Sequence, residues 1–190
     1  YNFQDLLLAS FTIRYDGSSR FGANHRWGTF PAASVGFRIS QLLKKDWLDD
    51  LKLRLSWGKT GNQAIDNNAQ FGLYVRDYGL DRVSSTAYDL RMAGSGTFPS
   101  GYRAIQTANP NLKWETATQY NLGVDYMLFA GSLYGSVDAY IKNVSDMLIN
   151  PAYLGAMGEG GATWSNGPSL RNWGMEFALG YPKTLANGLG

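Results

Sequence analysis

Six stretches of this chain alternate apolar and polar side chains with period two, a pattern that fits a β-strand with one apolar and one wet face and little else. In residues 6–15, Leu7, Ala9, Phe11, Ile13 and Tyr15 fall on one face, and Leu8, Ser10, Thr12 and Arg14 on the other. In residues 30–40, Ala33, Val35, Phe37 and Ile39 alternate with Ser34, Gly36, Arg38 and Ser40. In residues 51–58, Leu51, Leu53, Leu55 and Trp57 oppose Lys52, Arg54, Ser56 and Gly58. Residues 114–128 set Tyr120, Leu122, Val124, Tyr126 and Leu128 against Glu115, Gln119, Asn121 and Asp125. Residues 133–142 set Leu133, Val137, Ala139 and Ile141 against Tyr134, Ser136, Asp138, Tyr140 and Lys142. Residues 172–181 set Trp173, Met175, Phe177, Leu179 and Tyr181 against Asn172, Gly174, Glu176 and Gly180.

Stretches of about 8–15 residues exceed the ~5–6 usual in soluble domains and suit the ~9–11 that a tilted membrane strand needs. The connections give a second signal. Long ones (16–29, 59–112, 143–170) alternate with short ones (41–50, the latter with room for a helical turn, and 129–132). Antiparallel strands then gather every long loop at one end, as in outer-membrane barrels with long extracellular loops and short periplasmic turns. A connection as long as 59–112 is unusual as plain loop, and Phe71–Arg76 reads as a strand of an extracellular hairpin within it. The predicted fold class is therefore all-β: an antiparallel transmembrane β-barrel segment. Residues 1–190 belong to a single barrel domain.

Composition agrees. No apolar run approaches the ~18 residues of a spanning helix. Charged residues are only 17% and the mean hydropathy is −0.27, as expected where strands keep one polar face. Aromatics at 14% and 23 glycines suit strands, tight turns and interfacial girdles. A net charge of +2 without a block of like charges gives nucleic-acid binding no support. The absence of cysteine excludes disulfides and thiolate metal sites. Tyr1-Asn2-Phe3 leads straight into a strand without a signal peptide, and the chain ends on the turn-like run Leu185 to Gly190, so the sequence reads as an internal segment of a longer protein.

Catalytic chemistry finds no foothold. His25 is the single histidine and lies in a polar loop, so neither a metal site nor a Ser-His-Asp set is expected. Glu115 and Asp125 lie about 33 Å apart on an extended strand, beyond the ~5–9.5 Å of an acid–base pair. Gly158-Glu159-Gly160-Gly161 lacks the lysine of a phosphate loop. No cofactor is implied.

The run NPNLKWETATQYNLGVD at 109–125 resembles a signature of SusC/RagA-type TonB-dependent outer-membrane transporters. DGSSRFG at 16–22, WGTFPAASVGFRIS at 27–40, LKLRLSWGKTGNQ at 51–63, YGSVDAYIKNVSDMLI at 134–149 and NWGMEFALGY at 172–181 are similar to that family in the same order. Ala64–Thr107 and Pro168-Ser169-Leu170 depart from its pattern. The resemblance implies a barrel of roughly 22 strands closed by a plug domain, of which this chain supplies about six. The plug, the segment that contacts TonB and the last strand would lie outside it. The implied activity is TonB-driven import across the outer membrane of a Gram-negative bacterium. The implied partners are the lipid bilayer, TonB, a SusD-like surface lipoprotein and a glycan or peptide cargo.

Within that frame Phe11, Leu53, Leu55, Trp57, Leu122, Val124, Phe177 and Leu179 are expected to face lipid. Tyr15, Trp57, Trp114, Tyr126, Trp173 and Tyr181 are expected in the aromatic girdles. Arg14, Arg38, Lys52, Arg54, Glu115, Asp125, Asp138 and Glu176 are expected to face the lumen and plug, or to form a satisfied network on the wall. The loop aromatics Trp27, Tyr74, Tyr78, Tyr102, Tyr153 and Trp164 are candidates for contact with cargo or partner, with local loop packing as the plainer alternative. The alternation alone also suits a passive porin, an adhesive barrel or a soluble carbohydrate-binding β-sandwich. In the sandwich the Leu51–Trp57 row would be covered by a second sheet.

Overall fold

The structure, a computed structural model, describes residues 1–77, 101–151 and 163–182. In chain order the strands are β1 (Asn2–Phe3), β2 (Leu7–Gly17), β3 (Trp27–Arg38), β4 (Leu48–Asn62), β5 (Leu73–Asp77), β6 (Gly101–Gln106), β7 (Glu115–Leu128), β8 (Leu133–Ser145), β9 (Leu148–Ile149), β10 (Ser165–Asn166) and β11 (Leu170–Gly180). All six expected long strands are present, at 11 to 15 residues each. They form one antiparallel sheet in the order β1-β2-β3-β4-β7-β8-β11. β5 and β6 pair as a hairpin within the long connection, and β9 with β10 in the last one. No described helix is long and apolar enough to cross a membrane, which has no bearing on crossing by strands.

The sheet has unlike ends. The turns at 4–6, 39–47 and 129–132 lie at one, and the connections 18–26, 63–114 and 146–169 leave and rejoin the sheet at the other. One turn of 3-10 helix at Ile39–Gln41 occupies the start of the short link. β4 begins at Leu48, earlier than the alternation signalled, with a register shift between Leu48 and Asp50. Gln4 and Asp5 have positive φ and Leu6 N–H donates to the Phe3 carbonyl, so β1 and β2 form a tight hairpin. The turns are tied together: Phe129 N–H donates to the Trp47 carbonyl and Gly131 N–H to Asp49 Oδ2.

Glycine and aromatic residues are matched across the ladders. The register pairs Gly17 with Trp27, Gly135 with Tyr126, Gly174 with Tyr140 and Gly180 with Tyr134. In each pair the ring covers the space that a Cβ on the glycine would need.

The core does not lie under the sheet. It sits at the long-loop end, where Phe21, Phe30, Ile65, Ala69, Leu112 and Trp114 are buried together and Leu148 and Trp164 pack against them. Its position follows from Pro31. The β3–β4 ladder stops at Ala32 and Gly58, because the next residue of β3 has no N–H to donate. Beyond that point β4 keeps β7 as its only ladder partner, and the Phe30 ring fills the space over Gly28 and Gly61. Trp114 meets Phe30 edge-on at 5.3 Å and Phe21 at 5.0 Å between ring centroids.

Candidate functional site

Apart from the shift at Leu48 and Asp50, the register sorts side chains onto two faces along the long strands. The row Phe11, Ala33, Trp57, Tyr120, Ile141, Trp173 crosses all six of them. Below it run Ala9, Val35, Leu55, Leu122, Ala139, Met175, and then Leu7, Phe37, Leu53, Val124, Val137, Phe177. All eight residues expected on the apolar face share it. Among the described residues no second sheet covers this face, and Leu55, Phe177 and Leu179 are exposed at 57%, 71% and 72%. A contiguous apolar surface of this kind marks a contact with lipid or protein. The burial of the Leu51–Trp57 row that a sandwich requires is absent.

The opposite face is polar and carries all eight charged residues expected to share one. Arg54 reaches Asp125 Oδ2 at 2.7 Å through Nε and Asp125 Oδ1 at 2.8 Å through Nη2, a bidentate fork. The same Nη2 reaches Asp138 Oδ1 at 2.9 Å, although Asp138 lies two strands away on β8. Gly123, between them on β7, permits this: a Cβ there would collide with the Asp138 carboxylate and lie 2.8 Å from Arg54 Nη2. Glu176 stands opposite Asp138 in the register, so the cluster holds more carboxylate than cation.

The remaining charges separate. Arg38 pairs with Asp50 at 3.2 Å, and Ser40 Oγ also donates to Asp50. Arg14 pairs with its own strand neighbour Asp16. Glu115 accepts from Asn62 Nδ2 and from the Leu148 backbone, which anchors loop to wall. No ion pair of Lys52 is found among the described residues. Asp50 was missed by sequence reasoning, yet the spacing Asp50, Lys52, Arg54 continues the same-face period one step back.

Towards the long-loop end the polar face becomes hollow. Small residues leave a shallow concavity of about 370 Å³ lined by Ser10, Thr12, Ser34, Ser56, Gln119 and Asn121, among others. Its floor is wired: Ser10 and Ser34 hydroxyls are 2.8 Å apart, Asn121 donates to Ser56 Oγ, and Gln119 donates to Asn121 Oδ1.

The loop aromatics divide. Trp27 is a strand residue, contrary to its expected place in a loop: it opens β3 and stacks on Tyr15 at 4.9 Å with rings 3° from parallel. Trp114 is not a girdle residue. The strand alternation starts only at Glu115, so Trp114 turns into the loop core and donates Nε1–H to the Arg26 carbonyl. Trp164 is half-buried against that core. Tyr74 and Tyr102 are both exposed and, with Tyr74 opposite Ala104 and Tyr102 opposite Arg76, share one face of the β5–β6 hairpin. Tyr78 and Tyr153 lie outside the described residues. Among those described, no group of His, Asp and Glu is placed to hold a metal.

A family model described as "TonB dependent receptor-like, beta-barrel" matches residues 1–189. The chain belongs to the TonB-dependent receptor β-barrel family. It is 36% identical to the TonB-dependent receptor SusC of Bacteroides thetaiotaomicron over 185 residues, which is 94% of this chain and 17% of that protein. It is 35% identical to the TonB-dependent receptor P39 of Formosa agariphila over 153 residues, 79% of this chain and 13% of that protein. The solved RagAB peptide transporter matches with a TM-score of 0.77 at 28% identity, over 93% of this chain and 18% of that one. The chain therefore spans about a sixth of the SusC relative's length. The matched family is one of receptor barrels and not of enzymes.

In this TonB-dependent receptor segment the Arg54 cluster is expected to stabilise the wall modestly, since its side chains are 26–38% exposed and water weakens the pairs. Replacing Arg54→Met in the full-length protein should cost about 1–2 kcal/mol. The midpoint of heat-induced unfolding in detergent micelles measures this, and an unchanged midpoint would show that the cluster contributes nothing.

Proposed function

We propose that this chain is part of the wall of an outer-membrane importer of the SusC/RagA kind, which takes up an oligosaccharide or peptide with energy delivered through TonB. The carrying observation is the two-faced sheet: a continuous apolar face, uncovered among the described residues, backs a charged and hydroxyl-lined face. Such a sheet is stable where one side meets hydrocarbon and the other a wet interior, and closure into a barrel removes the raw edges at β1 and β11. The family membership and the similarity to SusC and RagAB support the same reading.

In the assembled protein of roughly 22 strands, the eight charged residues would face a plug domain encoded elsewhere in the protein. The excess carboxylate around Arg54, Asp138 and Glu176 suits basic side chains on that plug. At the long-loop end a SusD-like lipoprotein would cap the mouth. Tyr74 and Tyr102 are the described loop aromatics best placed to stack on cargo or partner.

The test is conductance of the full-length protein in a planar bilayer. A plugged importer is nearly silent, and a steady open current would favour a passive porin instead. Uptake of labelled oligosaccharide or peptide by cells should also stop when TonB is deleted.

A further inference from the structure

We infer that Lys142 and the hydrogen-bonding floor of the polar hollow form a subsite for an acidic sugar residue, one that bears a carboxylate or a sulfate; the inference rests on the reading that the polar face lines the lumen of an importer, and names its class of cargo. Lys142 stands near the long-loop end of β8, is half-buried and lines the hollow. Its register partners are Gln119 on β7 and Asn172 on β11. The residues diagonal to it on the same face, Ala117, Asn121, Leu170 and Gly174, are uncharged as well. The ladder carboxylates closest to it, Asp138 and Glu176 on one side and Glu115 on the other, stand two rows away. Of these, Asp138 is engaged by Arg54, and Glu115 by Asn62 and the Leu148 backbone. No ion pair of Lys142 is found among the described residues. A compact ammonium among neutral groups, at the edge of a wet hollow, keeps its charge available to a bound anion.

The floor supplies the neutral half of the recognition. Ser56 Oγ accepts from Asn121 at 3.2 Å, so its own O–H remains to be donated. The bond between Ser10 and Ser34 uses one of their two hydroxyl protons and leaves the other. Gln119 donates through Nε2 to Asn121 Oδ1 and keeps its carbonyl oxygen as an acceptor. Sugar hydroxyls, which both donate and accept, match such a lining, whereas the apolar side chains of a peptide would leave these groups unpaired. The volume of about 370 Å³ falls within the ~300–1,000 Å³ of small-ligand sites. Those sites are mostly apolar, so hydroxyls and amides here select for a polar ligand. The hollow also lies nearer the long-loop end than the Arg54 cluster, on the side from which cargo would enter.

The experiment is calorimetric titration of the full-length protein in detergent micelles with tetrasaccharides of galacturonate, of sulfated galactose and of neutral galactose. The wild type should bind at least one of the acidic pair about tenfold more tightly than the neutral sugar, the scale of one charge-assisted contact, and salt should narrow the difference. The stronger of the pair tells carboxylate from sulfate. Lys142→Gln should abolish the preference and leave the affinity for the neutral sugar unchanged, and Lys142→Arg should keep it. No acidic preference in the wild type, or an equal loss for acidic and neutral sugars in the glutamine variant, overturns the inference. Tighter binding of an acidic tetrapeptide than of either acidic sugar also overturns it and makes the hollow a peptide subsite. A glutamine variant that unfolds at lower temperature yet keeps the preference assigns Lys142 to a carboxylate of the plug, and the inference falls. Conductance and TonB dependence separate the two claims. A nearly silent, TonB-dependent protein without acidic preference loses the subsite alone, and an open pore loses the importer reading and the subsite with it.

Discussion

Lysine in place of Leu55 is expected to destabilise the membrane-inserted full-length protein by about 2–4 kcal/mol, among the largest effects open to a single change in this wall. Leu55 lies in the middle apolar row, flanked by Val35 and Leu122, with hydrocarbon as its proposed solvent. An ammonium there has no partner on its face and must snorkel past the aromatic row. The matched control is Ser136→Lys. Ser136 is on the polar face, opposite Asp125, so a lysine there gains a carboxylate and should shift stability by less than about 1 kcal/mol. Refolding into vesicles across a urea series measures both. Equal penalties, or a tolerated Leu55→Lys, would contradict the assignment of faces.

The second large effect is expected at Leu112. It is fully buried with Phe21 between the wall and the connections, and its backbone accepts from Gly22 N–H. Leu112→Ala should cost about 2–5 kcal/mol of local stability, because neighbours in the cluster are held on several separate segments and cannot collapse into the vacancy. Leu112→Met, which keeps the volume, should cost less than about 1.5 kcal/mol. Hydrogen exchange is the suitable readout. Amides of 109–115 and 18–26 should exchange faster in the alanine variant while those of β8 stay protected. Uniform loosening, or none, would show that this cluster is not a separate cooperative unit.

The wall was legible in the sequence because its two faces differ in side-chain chemistry along most of their length. Period-two alternation records that asymmetry directly, and one row of Leu51, Leu53, Leu55 and Trp57 fixes the parity of a strand. The signal fails where the asymmetry ends. Trp114 has the right parity for a girdle, but it precedes the first ladder residue and answers to Phe21 and Phe30 instead. Trp27 was misplaced because a strand end rich in aromatics looks like a loop when the polar residues before it are read on their own. The loops are ordered by contacts without a period. Arg20 donates to the Gln63 carbonyl, and the Asn166 side chain bonds Lys113 on both its backbone groups. Only the β5 half of the hairpin carried enough apolar residues to be seen in advance. The Arg54 cluster was half-visible: its members were known to share a face, but their meeting depends on the bare Cα of Gly123.

The seam between β4 and β7 runs from Leu48 to Asn62 although the chain leaves the sheet between them for residues 63–114. Closing a loop grows costlier only with the logarithm of its length, about 0.6 kcal/mol for each doubling. Extra chain spliced between β5 and β6 would therefore scarcely tax the union of the two half-walls. Evolution can lengthen, shorten or replace this connection while the paired staves stay fixed.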